Sequence, residues 1–238
     1  MGQEEVARIF RRYKYLVMPV VDDKTRLLGL STADDVVNVI NDEATEDVQK
    51  MAGAGADERL TSPWQYSFRK RVGWLQVNLG TAFLAAWVVG IFQSTIAALP
   101  ILAAYQTIVS GMGGNAGAQA MAVAIRGIAM GQVDKKLLKR LLMRELIVGV
   151  LTGLVVGCST WLIAAITHHG DHLVLLGAII CAALTLNHIN ACLTGVAIPF
   201  VMKNLGFDPA QSATVLATTF TDCGGFFRTL GLASLFME

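Results

Sequence analysis

Charge is scarce in this 238-residue sequence: Asp, Glu, Lys and Arg supply 16% of it, against about a quarter in an ordinary soluble domain. With 54% hydrophobic residues and a mean hydropathy of +0.53, that shortage excludes a conventional soluble fold and predicts a membrane protein. Proline is scarce too, 5 residues against 23 glycines, which excludes a collagen-like or low-complexity chain; glycine is common in membrane helices. The segment Met1 to Lys14 is charged throughout and lacks an apolar run ending in a small-residue cleavage site, so no cleavable signal is read there. Cysteine is confined to Cys158, Cys181, Cys192 and Cys223 in apolar stretches without CxxC pairing. These read as free buried thiols, neither a disulfide framework nor a zinc site. There is no GxxxxGK[ST] for ATP and no broad basic surface for nucleic acid.

The net charge of +1 is uninformative until it is mapped: residues 1–71 hold 23 of the 37 charges, and residues 72–238 hold the other 14. In the polar segment, Met18-Pro-Val-Val and Leu27-Leu-Gly-Leu flank the turn Asp23-Lys24-Thr25, predicting a hairpin over 17–31. Ser31 and Thr32 before Ala33-Asp34-Asp35 predict a capped helix reaching about Lys50. A unit this small buries little core, and it is expected to be the closing half of a larger domain, in a piece of a longer protein. Gly53 and Gly55 break the helix. Ser62-Pro63 then starts a short helix that ends in Arg69-Lys70-Arg71.

From Val72 to Ile125 no residue is charged, and these 54 positions suit two spans of about 20 residues each, placed near 73–92 and 97–121. Arg126 to Glu145, with six basic and two acidic residues, reads as a membrane-flanking loop. Two further spans lie between Leu146 and Met202, separated by Thr167-His-His-Gly-Asp-His172. A fifth runs over 211–236 after Asp208-Pro209. The fold class expected is therefore mainly α, a polytopic membrane protein with five transmembrane helices and a small α/β segment in front. Arg69, Lys70, Arg71, the 126–145 stretch and Lys203 fall on one side of this plan, which puts the N-terminus in the cytoplasm and the C-terminus outside.

Asp222 is the strongest chemical clue, because a carboxylate within a span is costly and by default marks an ion path or a buried pair. At 100° per residue, Thr214, Thr218, Asp222, Gly225 and Thr229 fall within a sector of roughly 80°, a face able to line a hydrated cation path. The alternative is that the threonines bond their own helix carbonyls and Asp222 pairs for packing, although Arg228 points roughly 120° away. Gly111-Met-Gly-Gly-Asn-Ala-Gly117, followed by Gln119, weakens a helix; it reads either as a backbone break with Asn115 at an ion's water shell or as close helix packing. Asn187-His188-Ile-Asn190 offers interhelical hydrogen bonds or a membrane-embedded acid/base or metal site pairing His188 with Asp222. His168, His169 and His172 read as a wet loop or a soft-metal site. Asp42, Glu43, Glu46 and Asp47 crowd one helix, as a solvated acidic face or a divalent-cation sensor.

Taken in order, these residues resemble one family. Met18-Pro-Val-Val-Asp through Gly29-Leu-Ser-Thr-Ala-Asp-Asp35 is similar to the end of a CBS domain, and Glu43 to Lys50 resembles the start of the connecting helix in MgtE-type magnesium transporters. Gly111-Met-Gly-Gly-Asn-Ala-Gly-Ala-Gln119 with Arg126, Pro199-Phe200, Leu205-Gly-Phe-Asp-Pro209 and Thr221-Asp222 continue the resemblance over nearly the whole chain. It implies three parts: a partial CBS-like cytoplasmic domain (1–41), a connecting plug helix and linker (42–71) and a five-span pore domain (72–238).

The resemblance further implies a homodimeric Mg²⁺ channel in the cell (inner or plasma) membrane, with its pore on the two-fold axis. Passive, potential-driven Mg²⁺ entry would be gated by cytoplasmic Mg²⁺, so that Mg²⁺ is both transported and regulatory, and the partners are a second copy and the lipid bilayer. Asp222 and Asn115 inherit roles at the ion by motif, beside Thr214, Thr218, Gly225 and Gly111; Asp42, Glu43, Glu46 and Asp47 become sensor candidates. No enzyme activity is implied. The sequence departs from the family pattern at Thr214 and Cys192, where asparagines are expected, at Thr107, where proline is usual, and at Ala97 and Arg228. These departures leave open another divalent metal, Co²⁺, Ni²⁺ or Mn²⁺, and a hydrolase built on His188 and Asp222 is the remaining alternative.

Overall fold

The computed structural model describes residues 2–131, 134–167 and 173–237, which divide into two compact units, Met1–Ser67 and Phe68–Glu238.

The first unit runs α1 (Gln3–Tyr13), β1 (Val17–Val21), β2 (Leu27–Thr32) and α2 (Ala33–Met51). The strands pair antiparallel, Met18 opposite Ser31 and Pro19 opposite Leu30, as the hairpin reading expects. Asp22 builds the turn: its Oδ1 accepts the backbone N–H groups of Lys24 and Arg26 at 2.9 and 2.8 Å. Those bonds, the Arg26 N–H first, hold its carboxyl below the ordinary value of 3.8. The expected cap is also present, as a capping box in which Thr32 and Asp35 each bond the other's backbone N–H. α1 has no counterpart among the sequence expectations. Its Ala7 and Phe10 form the small core with Val36 of α2, while both hairpin strands leave large apolar residues such as Val20, Leu28 and Leu30 exposed.

The second unit holds α3 (Trp64–Ile91), α4 (Gln93–Ala98), α5 (Ile101–Ala129), α6 (Lys135–Thr167), α7 (Leu173–Asn204) and α8 (Pro209–Met237). The short helix expected to end at Arg71 does not end there; it continues into α3, because Gly73 alone is too weak a breaker to interrupt 28 residues of helix. The expected break at Gly111–Gly117 is absent as well. α5 passes through it unbroken, since a glycine costs a helix only about 1 kcal/mol while an opened backbone in lipid leaves several polar groups unpaired. Most of 126–145 is helix rather than loop among the described residues. α5 extends to Ala129 and α6 begins at Lys135, because Leu138, Leu141 and Leu142 repeat at helical spacing and pack against a cluster of α5 and α7 that includes Ile128, Val196 and Phe200. The turn His168, His169, Asp171 and His172 lies outside the described residues.

α7 is the hub, packed by α5, α6 and α8. Its contact with α6 is close because Gly149, Gly153 and Gly157 recur every four residues and meet the α7 backbone. A Cβ on Gly153 would stand 2.6 Å from Thr185 Cα. Among the described residues three helices are long and apolar enough to cross a membrane: Trp64–Ile91, Lys136–Ile166 and Val174–Asn204, with mean hydropathies of 1.5, 2.2 and 1.7. α5 and α8 are each 29 residues long, and they carry the asparagine, glutamine, threonine, aspartate and arginine that the sequence singles out.

Candidate functional site

The site begins at the middle of α8, where Asp222 is half-buried. Its Oδ1 accepts a hydrogen bond of 2.5 Å from Ser110 Oγ on α5. A hydroxyl stabilises the carboxylate without neutralising it, and among the described residues Asp222 forms no ion pair. Arg228 is not its partner. The guanidinium folds back over Gly224 and beside Asn190, with Nη1 buried and unbonded.

Below and above Asp222 the face divides. Thr218 donates to the carbonyls of Thr214 and Val215 at 3.1 and 2.9 Å, and Thr214 lies against Met121 of α5. Both threonine side chains are half-buried. Gly225 is buried instead. A Cβ there would meet Asn187 Nδ2 at 2.8 Å, and its carbonyl accepts from the buried Thr229 hydroxyl at 2.8 Å. Asn187 is wholly buried in the notch between Gly113 and Gly225, donating to Val109 O of α5 at 3.0 Å, and Asn190 donates to Phe220 O of α8 at 3.0 Å. The two asparagines are thus interhelical ties that lock α7 to α5 and α8.

Asn115 is exposed and turned elsewhere. It stands five residues, roughly 140°, around α5 from Ser110. With Gln119 it lines a cavity shared with α6 and α7, into which His188 also faces. Gly111 meets open space, with nothing within 4 Å of a Cβ placed there. Asp222 is not among that cavity's lining residues: the structure brings Asp222 together with Ser110, and His188 together with Asn115.

Ser110 and Glu145 were not singled out from sequence. Glu145 had a signal: it falls at helical spacing with Leu142, Gly149 and Gly153, the stripe of α6 that meets α7. Ser110 had none, because nothing in sequence pairs it with a residue 112 positions away. Of the four acids on α2, Glu46 pairs with Lys50 and Asp42 is exposed; the side chain of Glu43 lies outside the described residues.

Residues 106–232, from the second turn of α5 almost to the end of α8, match the family model of MgtE, described as a divalent cation transporter. The chain belongs to the MgtE family. Its curated relatives include the magnesium transporters MgtE of Bacillus subtilis (strain 168), 34% identical over 236 residues, and of Enterococcus faecalis (strain ATCC 700802 / V583), 34% identical over 238. The magnesium transporter MgtE of Thermus thermophilus is 34% identical over 242 residues. Each alignment takes in 99% of this chain and 52%, 51% and 52% of the respective relative, so the chain spans about half the length of those MgtE proteins. The family match contains Ser110, Asn115, Glu145, His188 and Asp222 together, so every polar group of the site is in the MgtE region.

Proposed function

We propose that this chain forms the conducting part of a homodimeric Mg²⁺ channel, with Asp222 as the carboxylate that meets the ion. One observation carries the reading: a mid-helix carboxylate, held by a single neutral hydroxyl and by no cation, in a chain of a divalent-cation transporter family. Leaving such a charge in a membrane costs about 2.5–3.5 kcal/mol on insertion scales, and a permeating divalent ion removes that cost. Ser110 fixes one oxygen, so the other remains free to accept from the ion's water shell. Mg²⁺ loses water reluctantly and is held by one or two carboxylates through its waters, so two copies of Asp222 about a two-fold axis suffice.

Thr218 and Thr214 extend this path along α8 with their hydroxyl oxygens, and Gly111 follows Ser110 on α5; Asn115, turned to another side of α5, is not part of it. Gly225 contributes by letting α8 approach Asn187 closely. A negative interior drives a divalent ion inward with about 4.6 kcal/mol per 100 mV, twice the single-charge value, so the potential alone supplies the force. The basic residues near the helix ends support a cytoplasmic N-terminus and an external C-terminus in the cell membrane. Residues 1–41 stand as a partial CBS-like unit and 42–71 as the connecting segment. In them Asp42, Glu43, Glu46 and Asp47 sense cytoplasmic Mg²⁺, and its binding relieves repulsion between like charges on one helix.

The family description keeps a second reading, another divalent metal. The carboxylate of Asp222 with the Ser110 hydroxyl is an oxygen set, which favours a hard cation over Co²⁺ or Ni²⁺. A hydrolase pairing His188 with Asp222 has no support in the geometry, since Asp222 bonds Ser110 and does not line the cavity that His188 lines. Asp222→Ala is expected to abolish rescue of a Mg²⁺-uptake-deficient strain at low Mg²⁺. Full rescue at equal expression would overturn the assignment.

A further inference from the structure

The cavity between α5, α6 and α7, about 380 Å³ in volume, holds polar groups that the Asp222 path does not use: Asn115, Gln119, Glu145, Thr152, His188 and Cys192. Two of them are titratable and almost wholly buried, Glu145 at 5% exposure and His188 at 2%. Glu145 is ion-paired with Arg144 through Oε1, which accepts from Arg144 Nε and Nη2 at 3.2 and 2.7 Å. Glu145 lines the cavity, and among the described residues its Oε2 has no hydrogen-bond partner. His188 engages only Nδ1, 2.8 Å from Leu184 O. A carbonyl can only accept, so Nδ1 carries the proton and Nε2 presents a lone pair. The cavity thus offers a carboxylate oxygen, an imidazole lone pair, a threonine oxygen and two amide oxygens, all acceptors.

Among the described residues no three of His, Cys, Asp or Glu gather as a cage for a bare metal ion. A hydrated ion needs no such cage. Its water shell presents only O–H donors, and six waters occupy about 180 Å³ at ~30 Å³ each, which fits. We propose that this cavity is a second cation site, off the Asp222 path, binding one hydrated divalent ion per chain through its waters, with Glu145 Oε2 and His188 Nε2 as the principal acceptors. The proposal rests on the reading above only for the identity of the ion.

The test counts bound metal in the full chain in nanodiscs, using Mn²⁺ as the probe and Mg²⁺ as competitor in equilibrium dialysis. Glu145→Gln should lower the Mg²⁺-displaceable Mn²⁺ by one per chain, and by the same amount when Asp222→Asn is also present. His188→Gln, which leaves the α6 face untouched, should weaken that ion by about 10- to 100-fold, the usual cost of removing an outer-shell partner; it carries the test if Glu145→Gln does not fold. Unchanged counts and affinities in these variants would overturn the proposal. Should Asp222→Asn retain uptake while Glu145→Gln loses its ion, the path assignment fails and the second site stands. Should Asp222→Asn stop uptake while the counts stay whole, the reverse holds.

Discussion

The α6–α7 and α5–α8 pairs are made of helices of similar length, yet they join by different chemistry. α6 meets α7 through glycines set against bare backbone, and both helices are apolar enough to span a membrane unaided. α5 and α8 are tied partly through Asn187 of α7, and their own polar contacts include the Ser110 hydroxyl on the Asp222 carboxylate and Thr214 against Met121. The first pair gains its stability by van der Waals approach, and among the described residues its one buried charge, Glu145, is paired with Arg144 of the same helix. The second keeps a charge that no cation meets among the described residues. A scaffold can be recognised by satisfied close packing, and a working site by a polar group that packing leaves incompletely matched.

The comparison can be broken most forcefully on the scaffold side. Gly153→Ala places a Cβ 2.6 Å from Thr185 Cα, backbone that cannot step aside. Overpacking of this kind costs about 1–3 kcal/mol, and thermal unfolding in detergent should shift downward accordingly. On the site side, Ser110→Ala should release Asp222 from its fixed orientation. A hydrogen bond to a charged group is worth about 1.5–3 kcal/mol, so Mg²⁺ uptake at limiting Mg²⁺ should fall about tenfold or more, and Ser110→Thr should restore it. If Ser110→Ala destabilised the fold while Gly153→Ala did not, the two pairs would have exchanged roles.

Sequence reached the five long helices because a charge-free run of 54 residues and the Asp208-Pro209 turn leave few other arrangements. It reached the Thr32 cap and the hairpin because those are local, set by residues within a few positions of one another. It missed the continuity of α3, the unbroken passage of α5 and the helical course of 135–145. In each case a local signal, a glycine or a run of charges, was outweighed by the need to keep backbone bonds closed beside apolar neighbours. Asp222 was legible as an isolated acid in an apolar stretch. That Asn115 faces away from it, toward Glu145 and His188, was not, because helical angles do not tell which neighbour occupies each side.

Smaller effects sharpen the contrast between the two units. Thr32→Ala removes the cap of α2 at a cost of about 1 kcal/mol, measurable in the unfolding of the amino-terminal unit and without effect on uptake through the second unit. The Thr32 backbone N–H, then its hydroxyl, hold the Asp35 carboxyl below 3.8, and the Arg26 N–H does the same for Asp22. A depressed carboxyl contributes stability above its unfolded value and loses it as pH falls through the folded one. The amino-terminal unit should therefore weaken as pH drops below about 4 and show no such dependence between pH 5 and 7. Gly111→Ala, with nothing within 4 Å of the new Cβ, should change unfolding least of all.

The central claim is that Asp222 meets the ion, and purified protein in proteoliposomes with an inward-negative potential tests it most directly through Mg²⁺ flux. Asp222→Asn keeps the size of the side chain and the bond from Ser110 while removing the charge. Flux should fall to the level of empty liposomes with thermal unfolding unchanged; flux equal to that of the unsubstituted protein would contradict the account.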